Sequence, residues 1–175
     1  MSLNLLNYLK FSVGISIDMI LTNTDSSRNI QGIFEYNEEQ LEDDHTFIQW
    51  VFPTYRPSAY NDRSPVLTKQ EIISIRNSPV IQNILNKFKN KMFNYWGLYD
   101  GDNSKLQLLN GHNGLRLSRV IECLTLFRID VTDIFPMLHE KIKSGVLNPC
   151  CEYYTLDSKN INLPIWIIRY YENLN

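Results

Sequence analysis

The chain has no apolar run long enough for a membrane helix, no basic stripe and few cysteines, and each shortage excludes something. A bilayer-spanning helix takes about 20 predominantly apolar residues. The apolar N-terminal segment, Phe11 to Leu21, is shorter and carries Asp18. It also lacks the small-residue cleavage pattern of a secretory leader, so it reads as a core element with no transmembrane segment expected. Seventeen Lys and Arg against nineteen Asp and Glu leave a net charge of −2. With no block of like charges, the chain lacks the clustered cations that displace counterions from a phosphate backbone, and no nucleic-acid partner is expected. The three cysteines, Cys123, Cys150 and Cys151, are an odd, sparse set that suggests a reducing, cytoplasmic setting and buried, inert thiols.

Motifs for cofactor and metal chemistry are also missing. There is no Walker loop, dinucleotide fingerprint, nucleophile elbow or zinc motif, so neither cofactor nor metal is expected. Asp100, Asp102 and Asn103 lack the glutamate and glycine pattern of a calcium loop and read as solvated turn residues.

What is present is a core. Hydrophobic residues make up 43% of a 175-residue chain with three tryptophans, ten tyrosines and eight phenylalanines. At that length folding buries roughly 70% of the surface the unfolded chain exposes, enough for one self-sufficient domain over residues 1–175. The apolar residues recur mostly at helical spacing. Positions 3, 5, 6 and 9 suggest an N-terminal helix, followed by a polar loop at 22–28. Asn37 and Gln40 form a capping box, after which Leu41, His45, Ile48 and Phe52 mark the inner stripe of a helix that Pro53 ends. Residues 53–65 hold three prolines and predict a long irregular loop that Tyr55 and Tyr60 could pin.

A second capping box, Thr68 with Glu71, opens a short helix, and Pro79 sits at the first turn of the longest one. There Ile81, Leu85, Phe88, Met92 and Trp96 form the stripe and Gly97 the stop. Residues 98–111 read as loop. A helix over 113–128 buries Leu117, Ile121, Leu124 and Phe127, another begins at Thr132 and ends at Gly145, and a last one opens near Asn162 and Pro164. With no hairpin signal recognised, the expected class is all-α: a single-domain bundle of about six to seven helices with a long proline-containing loop.

Three groupings could carry chemistry. Asp43, Asp44 and His45 are the raw material of acid–base catalysis, but neighbours on a helix point about 100° apart, so Asp44 cannot orient His45 as a triad requires. A core or interface histidine fits that stripe better. His112, Asn113, Arg116 and Arg119 lie at a helix start, where exposed N–H groups and guanidinium groups suit phosphate or carboxylate. The structural alternative pairs Arg116 or Arg119 with Glu42, Asp43 or Asp44. Trp50, Phe52, Tyr55 and Tyr60, with Tyr95 and Trp96, could line a peptide groove, although aromatics at helical spacing are more often core, the reading favoured for Phe52 and Trp96; Gln49 and Trp50 are left unexplained by packing.

The ordered segments "LEDDHTFIQWVFP", "RPSAYNDRSPVLTKQEI", "NKMFNYWGL" and "HNGLRLSRVIECLTLF" resemble the conserved domain of the opioid growth factor receptor family. The matching positions are His45, Ile48, Gln49, Trp50, Phe52, Pro53, Leu67, Thr68, Gly97, His112, Asn113, Leu115, Arg116 and Arg119, over roughly residues 25–130. Gly114 is a looser helix residue than many relatives carry. The resemblance implies a receptor-like module that in animals takes the opioid peptide met-enkephalin and is nuclear or perinuclear; in stand-alone members no activity is assigned. The expectation is therefore a binding or interaction module more than an enzyme. Its partner would be a small anionic ligand or a peptide, met by His112, Asn113, Arg116, Arg119, His45, Gln49, Trp50, Tyr55 and Tyr60. The alternative is an enzyme using His45 or His112 on an anionic substrate held by Arg116 and Arg119.

Overall fold

The computed structural model describes residues 30–174 except 63, 157 and 158. The expected N-terminal helix, the apolar segment 11–21 and the polar loop 22–28 lie outside the described residues. Among the described residues there are nine α-helices, two 3-10 helices and one two-stranded antiparallel sheet, so the fold is mainly α. The chain divides into two compact units, residues 1–88 and 89–175, at a point inside its longest helix.

The first unit holds α1 (Ile30–Phe34), α2 (Glu38–Asp43), α3 (Phe47–Val51), α4 (Lys69–Arg76) and the start of α5 (Pro79–Tyr95). The Asn37 box forms as its spacing predicts: the Gln40 N–H donates to Asn37 Oδ1 and the Asn37 N–H to Gln40 Oε1, both at 2.9 Å. The Thr68 box forms too, with the Thr68 N–H donating to Glu71 Oε2 at 2.7 Å. Phe52 and Phe88 sit in the core with rings edge to face, 6.4 Å apart. Burying a side chain of that size contributes about 1.5–3 kcal/mol, which ties the end of α3 to α5.

The continuous helix expected from Asn37 to Phe52 is instead two, and His45 is exposed at the break between them. Asp44 causes the break. Its backbone is extended, and its Oδ1 accepts from both the Thr46 N–H and the Thr46 hydroxyl at 2.9 Å. An aspartate that satisfies the backbone two residues on offers the chain an alternative to another helical turn. The apolar stripe therefore restarts at Phe47, and the His45 side chain, expected in the core, meets solvent.

The second unit continues α5, then α6 (Asn103–Leu106), a 3-10 helix (Gln107–Asn110), α7 (His112–Leu126), a second 3-10 helix (Thr132–Ile134), α8 (Phe135–Lys143), β1 (Cys151–Leu156), β2 (Lys159–Pro164) and α9 (Ile165–Glu172). Gly97 ends α5 at φ +68. The Leu98 N–H then reaches Phe93 O at 2.8 Å and the Gly97 N–H reaches Asn94 O at 3.1 Å, the paired bonds of a Schellman stop. The 98–111 segment is more ordered than a loop: Asp102 caps α6 by accepting from the Ser104 N–H at 2.9 Å.

α7 is the spine of this unit, with Leu117, Val120, Ile121 and Leu124 fully buried and α9 packed along it. Its first turn runs hard against the preceding 3-10 helix. A Cβ on Gly114 would stand 2.5 Å from the Leu109 carbonyl oxygen. Glycine there is a condition of the close approach and not merely a looser choice.

The hairpin corrects the all-α expectation. β1 and β2 pair in register from Cys151 opposite Pro164 to Leu156 opposite Lys159, so Asn162 and Pro164 belong to a strand and the last helix starts only at Ile165. The thiols need correcting as well. Cys123 is buried, but Cys150 and Cys151 are exposed because they lie where the chain enters the hairpin.

Candidate functional site

The candidate residues fall in both units. On the first, His45 occupies the Asp44–Thr46 bend, where Asp44 also accepts from the Tyr36 hydroxyl at 3.2 Å. That carboxylate serves the local structure of the bend through Tyr36 and Thr46. Gln49 is buried on α3 at 5% exposure, and its Oε1 has no hydrogen-bond partner among the described residues. Trp50, next on the helix, is half-buried.

Hydrogen bonds among the described residues pin the proline loop at several points. At its ends the Leu67 N–H donates to Thr54 O at 2.9 Å and Thr54 forms an isolated parallel bridge with Val66. Within it the Ser64 hydroxyl donates to Asn61 O at 2.8 Å, and Asn61 Nδ2 reaches Thr46 O at 3.5 Å. Tyr60 projects with 77% of its surface exposed, and Tyr55 with 39%. Arg56 lies 5.1 Å from the Tyr55 ring centre and donates to its hydroxyl at 2.8 Å, which holds that ring in place. The Asn61–Thr46 contact sets the loop beside the bend, so His45 and Tyr60 flank one hydrogen bond.

On the second unit, α7 supplies the rest. His112 is exposed at its first position. Asn113 is buried, and its Oδ1 accepts from Trp96 Nε1 and from Arg116 Nη1, each at 3.2 Å. Those two bonds explain an asparagine at that place: it satisfies an indole N–H in the core and fixes a guanidinium. Arg116 is itself only 6% exposed, so its guanidinium is held below the surface.

Arg119 follows three residues later, mostly buried. Burial lowers its pKa from the ordinary value, and neighbouring Cys123 and Glu122 oppose that shift. Glu122, at 4% exposure, lies 3.9 Å from Arg169 on α9, which in turn binds Glu172 at 2.8 Å. The polar side of α7 thus runs from Arg119 and the buried Glu122 to a solvent-accessible Arg169–Glu172 pair on α9, and Glu122 is a component the sequence reading does not single out although the Arg-x-x-Glu spacing displays it. Cys123 behind it is inert, since burial pushes its thiol well above the ordinary value.

Among the described residues, no group of three or more His, Cys, Asp or Glu side chains is placed to hold a metal ion, and no helix is long and apolar enough to cross a membrane.

Comparison with known proteins places these features in a family context. Residues 22–133 match the model of the family described as the opioid growth factor receptor conserved region. The human opioid growth factor receptor is 30% identical over 102 residues, covering 50% of this chain and 15% of that protein. The chain therefore corresponds to a small part of that relative. No solved structure matches.

Proposed function

Since the chain belongs to the opioid growth factor receptor conserved-region family, we propose that it works as a cytoplasmic interaction module that binds a peptide or a protein segment through Tyr55, Tyr60 and His45. One observation carries this reading: the proline loop is fixed by hydrogen bonds at Thr54, Asn61 and Ser64 while its two tyrosines face solvent. Tyrosines, with only two side-chain torsions, lose little conformational entropy on binding when the backbone that carries them is fixed, and they are enriched among the residues that dominate interfaces. Tyr55, braced by Arg56, and the half-buried Trp50 extend the same aromatic character.

The burial of Arg116 beside Asn113 supports assigning that guanidinium to the fold, with His112 left as the exposed polar group of the α7 start. The human relative is named as a receptor for an opioid growth factor, and that name supports a binding role over a catalytic one. Exposed free thiols at Cys150 and Cys151 fit a reducing compartment.

The test is calorimetric titration with met-enkephalin and with peptides selected from an unbiased display library. Tyr60→Ala, at a site too exposed to unsettle the core, should weaken binding at least tenfold, and Tyr55→Ala should add to the loss. Selected peptides that bind the double variant undiminished, or a library that yields no binder, would overturn the assignment.

A further inference from the structure

The segment that follows the family-matched span builds a cleft of its own. Its volume is about 760 Å3, within the range of roughly 300–1,000 Å3 typical of small-molecule sites. One wall is α8, through Phe135, Leu138, His139 and Ile142, a spacing that puts all four on one helical face. The opposite wall is the hairpin, through Cys151, Asn162 and Leu163, and the floor comes from Trp166 and Ile167 of α9. Every lining residue lies beyond residue 133, where the family match ends.

Burial distinguishes floor from mouth. Leu138, Leu147 and Trp166 are 1–2% exposed, whereas His139, Asn148, Cys151 and Asn162 are exposed. The lining contains no Asp, Glu, Lys or Arg. The lining's histidine, His139, stands exposed at the mouth, so a charge carried down to the Leu138 and Trp166 floor would surrender its hydration without meeting an ion partner, whereas an apolar group is rewarded for the area it hides. The imidazole and the two amides at the mouth have no hydrogen bond from their side chains to other described residues, so they can serve a polar group at one end of a ligand.

We propose that this cleft binds an uncharged, mainly apolar small molecule, with its ring or chain against Phe135, Leu138 and Trp166 and a single hydrogen-bonding group at the His139, Asn148 and Asn162 mouth. The neighbouring cysteines give a direct readout, because Cys151 lines the cleft and Cys150 does not. The thiol of Cys151 accepts no role in the binding itself; it donates to Pro149 O at 3.5 Å and reports occupancy by its accessibility.

The experiment measures initial alkylation rates of both thiols in the full chain by N-ethylmaleimide, resolved by peptide mass spectrometry, with 2-naphthol or 2-naphthoate present at equal concentration. The neutral probe should slow Cys151 at least fivefold and leave Cys150 within twofold of its free rate, while the carboxylate of the same ring system protects far less. Ile142→Trp, which fills the cleft, should abolish protection. Should that variant fail to fold, the contrast between the two thiols in the unaltered protein still decides. Equal protection of both thiols would indicate diffuse surface association, equal protection by naphthoate would refute the uncharged class, and no protection by naphthol up to its solubility would refute the site.

Discussion

Replacing Gly114 with alanine sets two effects of opposite sign against each other, and the structure says which wins. In an ordinary helix interior the change stabilises by about 1 kcal/mol, because glycine gives up more backbone entropy. At this position the added methyl would stand 2.5 Å from the Leu109 carbonyl oxygen, a backbone atom, with Trp166 at an ordinary 3.8 Å on another side. The side chain has no rotamer through which to escape, so α7 must move away from the preceding 3-10 helix. Overpacking of this kind costs about 1–3 kcal/mol, with backbone contacts toward the upper end, and the net expectation is a loss of roughly 1–2 kcal/mol. For a chain of this size that is a fall in melting temperature of roughly 2–8 °C, read by circular dichroism. Displacing the first turn of α7 would also disturb the Asn113 bonds to Trp96 and Arg116, so the near-ultraviolet tryptophan signal should change with it. A variant melting at or above the temperature of the unaltered chain would show that the close approach does not constrain residue 114, and the reasoning would fail.

Two further expectations concern buried and capped polar groups. Asn113→Leu removes the acceptor shared by Trp96 Nε1 and Arg116 Nη1, and should cost roughly 2–4 kcal/mol in urea unfolding; Asn113→Asp, which keeps an acceptor, should cost clearly less. The Asp130 carboxylate lies below its ordinary pKa of 3.8 because the Thr132 N–H and hydroxyl donate to it at 2.9 and 2.8 Å. A depressed folded pKa contributes stability that is complete above the unfolded value and is lost as pH falls from 3.8 through the folded value. The Asp130 carboxyl shift followed by NMR should therefore titrate below 3.8 and move upward in Thr132→Val, and an unmoved midpoint would assign the shift elsewhere.

Local rules written into neighbouring residues were legible without any structure. The boxes at Asn37 and Thr68, the Pro79 start, the Gly97 stop and the apolar stripes of α5 and α7 involve partners within about a turn of each other, so periodicity and cap chemistry suffice. The four ordered segments likewise identified the family before any geometry was known. The break at His45 was half legible: the sequence displays Asp44 two residues before Thr46, but a regular stripe over Leu41, Ile48 and Phe52 competes with it, and the two bonds from Thr46 to the Asp44 carboxylate settle the contest. The hairpin left a fainter trace in the β-favouring run at Tyr153–Thr155, with only two residues between the strands.

Tertiary structure alone decided which polar residues the core consumes. Nothing in "HNGLRLSR" distinguishes an arginine offered to a ligand from one held inside beside an asparagine, because that depends on Trp96, sixteen or more residues away, directing its N–H at the same oxygen. The cleft is further still from the sequence, since its walls come from α8 and a hairpin that meet only in the folded chain. Sequence determines what each segment can be; burial, which sums over residues remote along the chain, determines which side chains remain free to act.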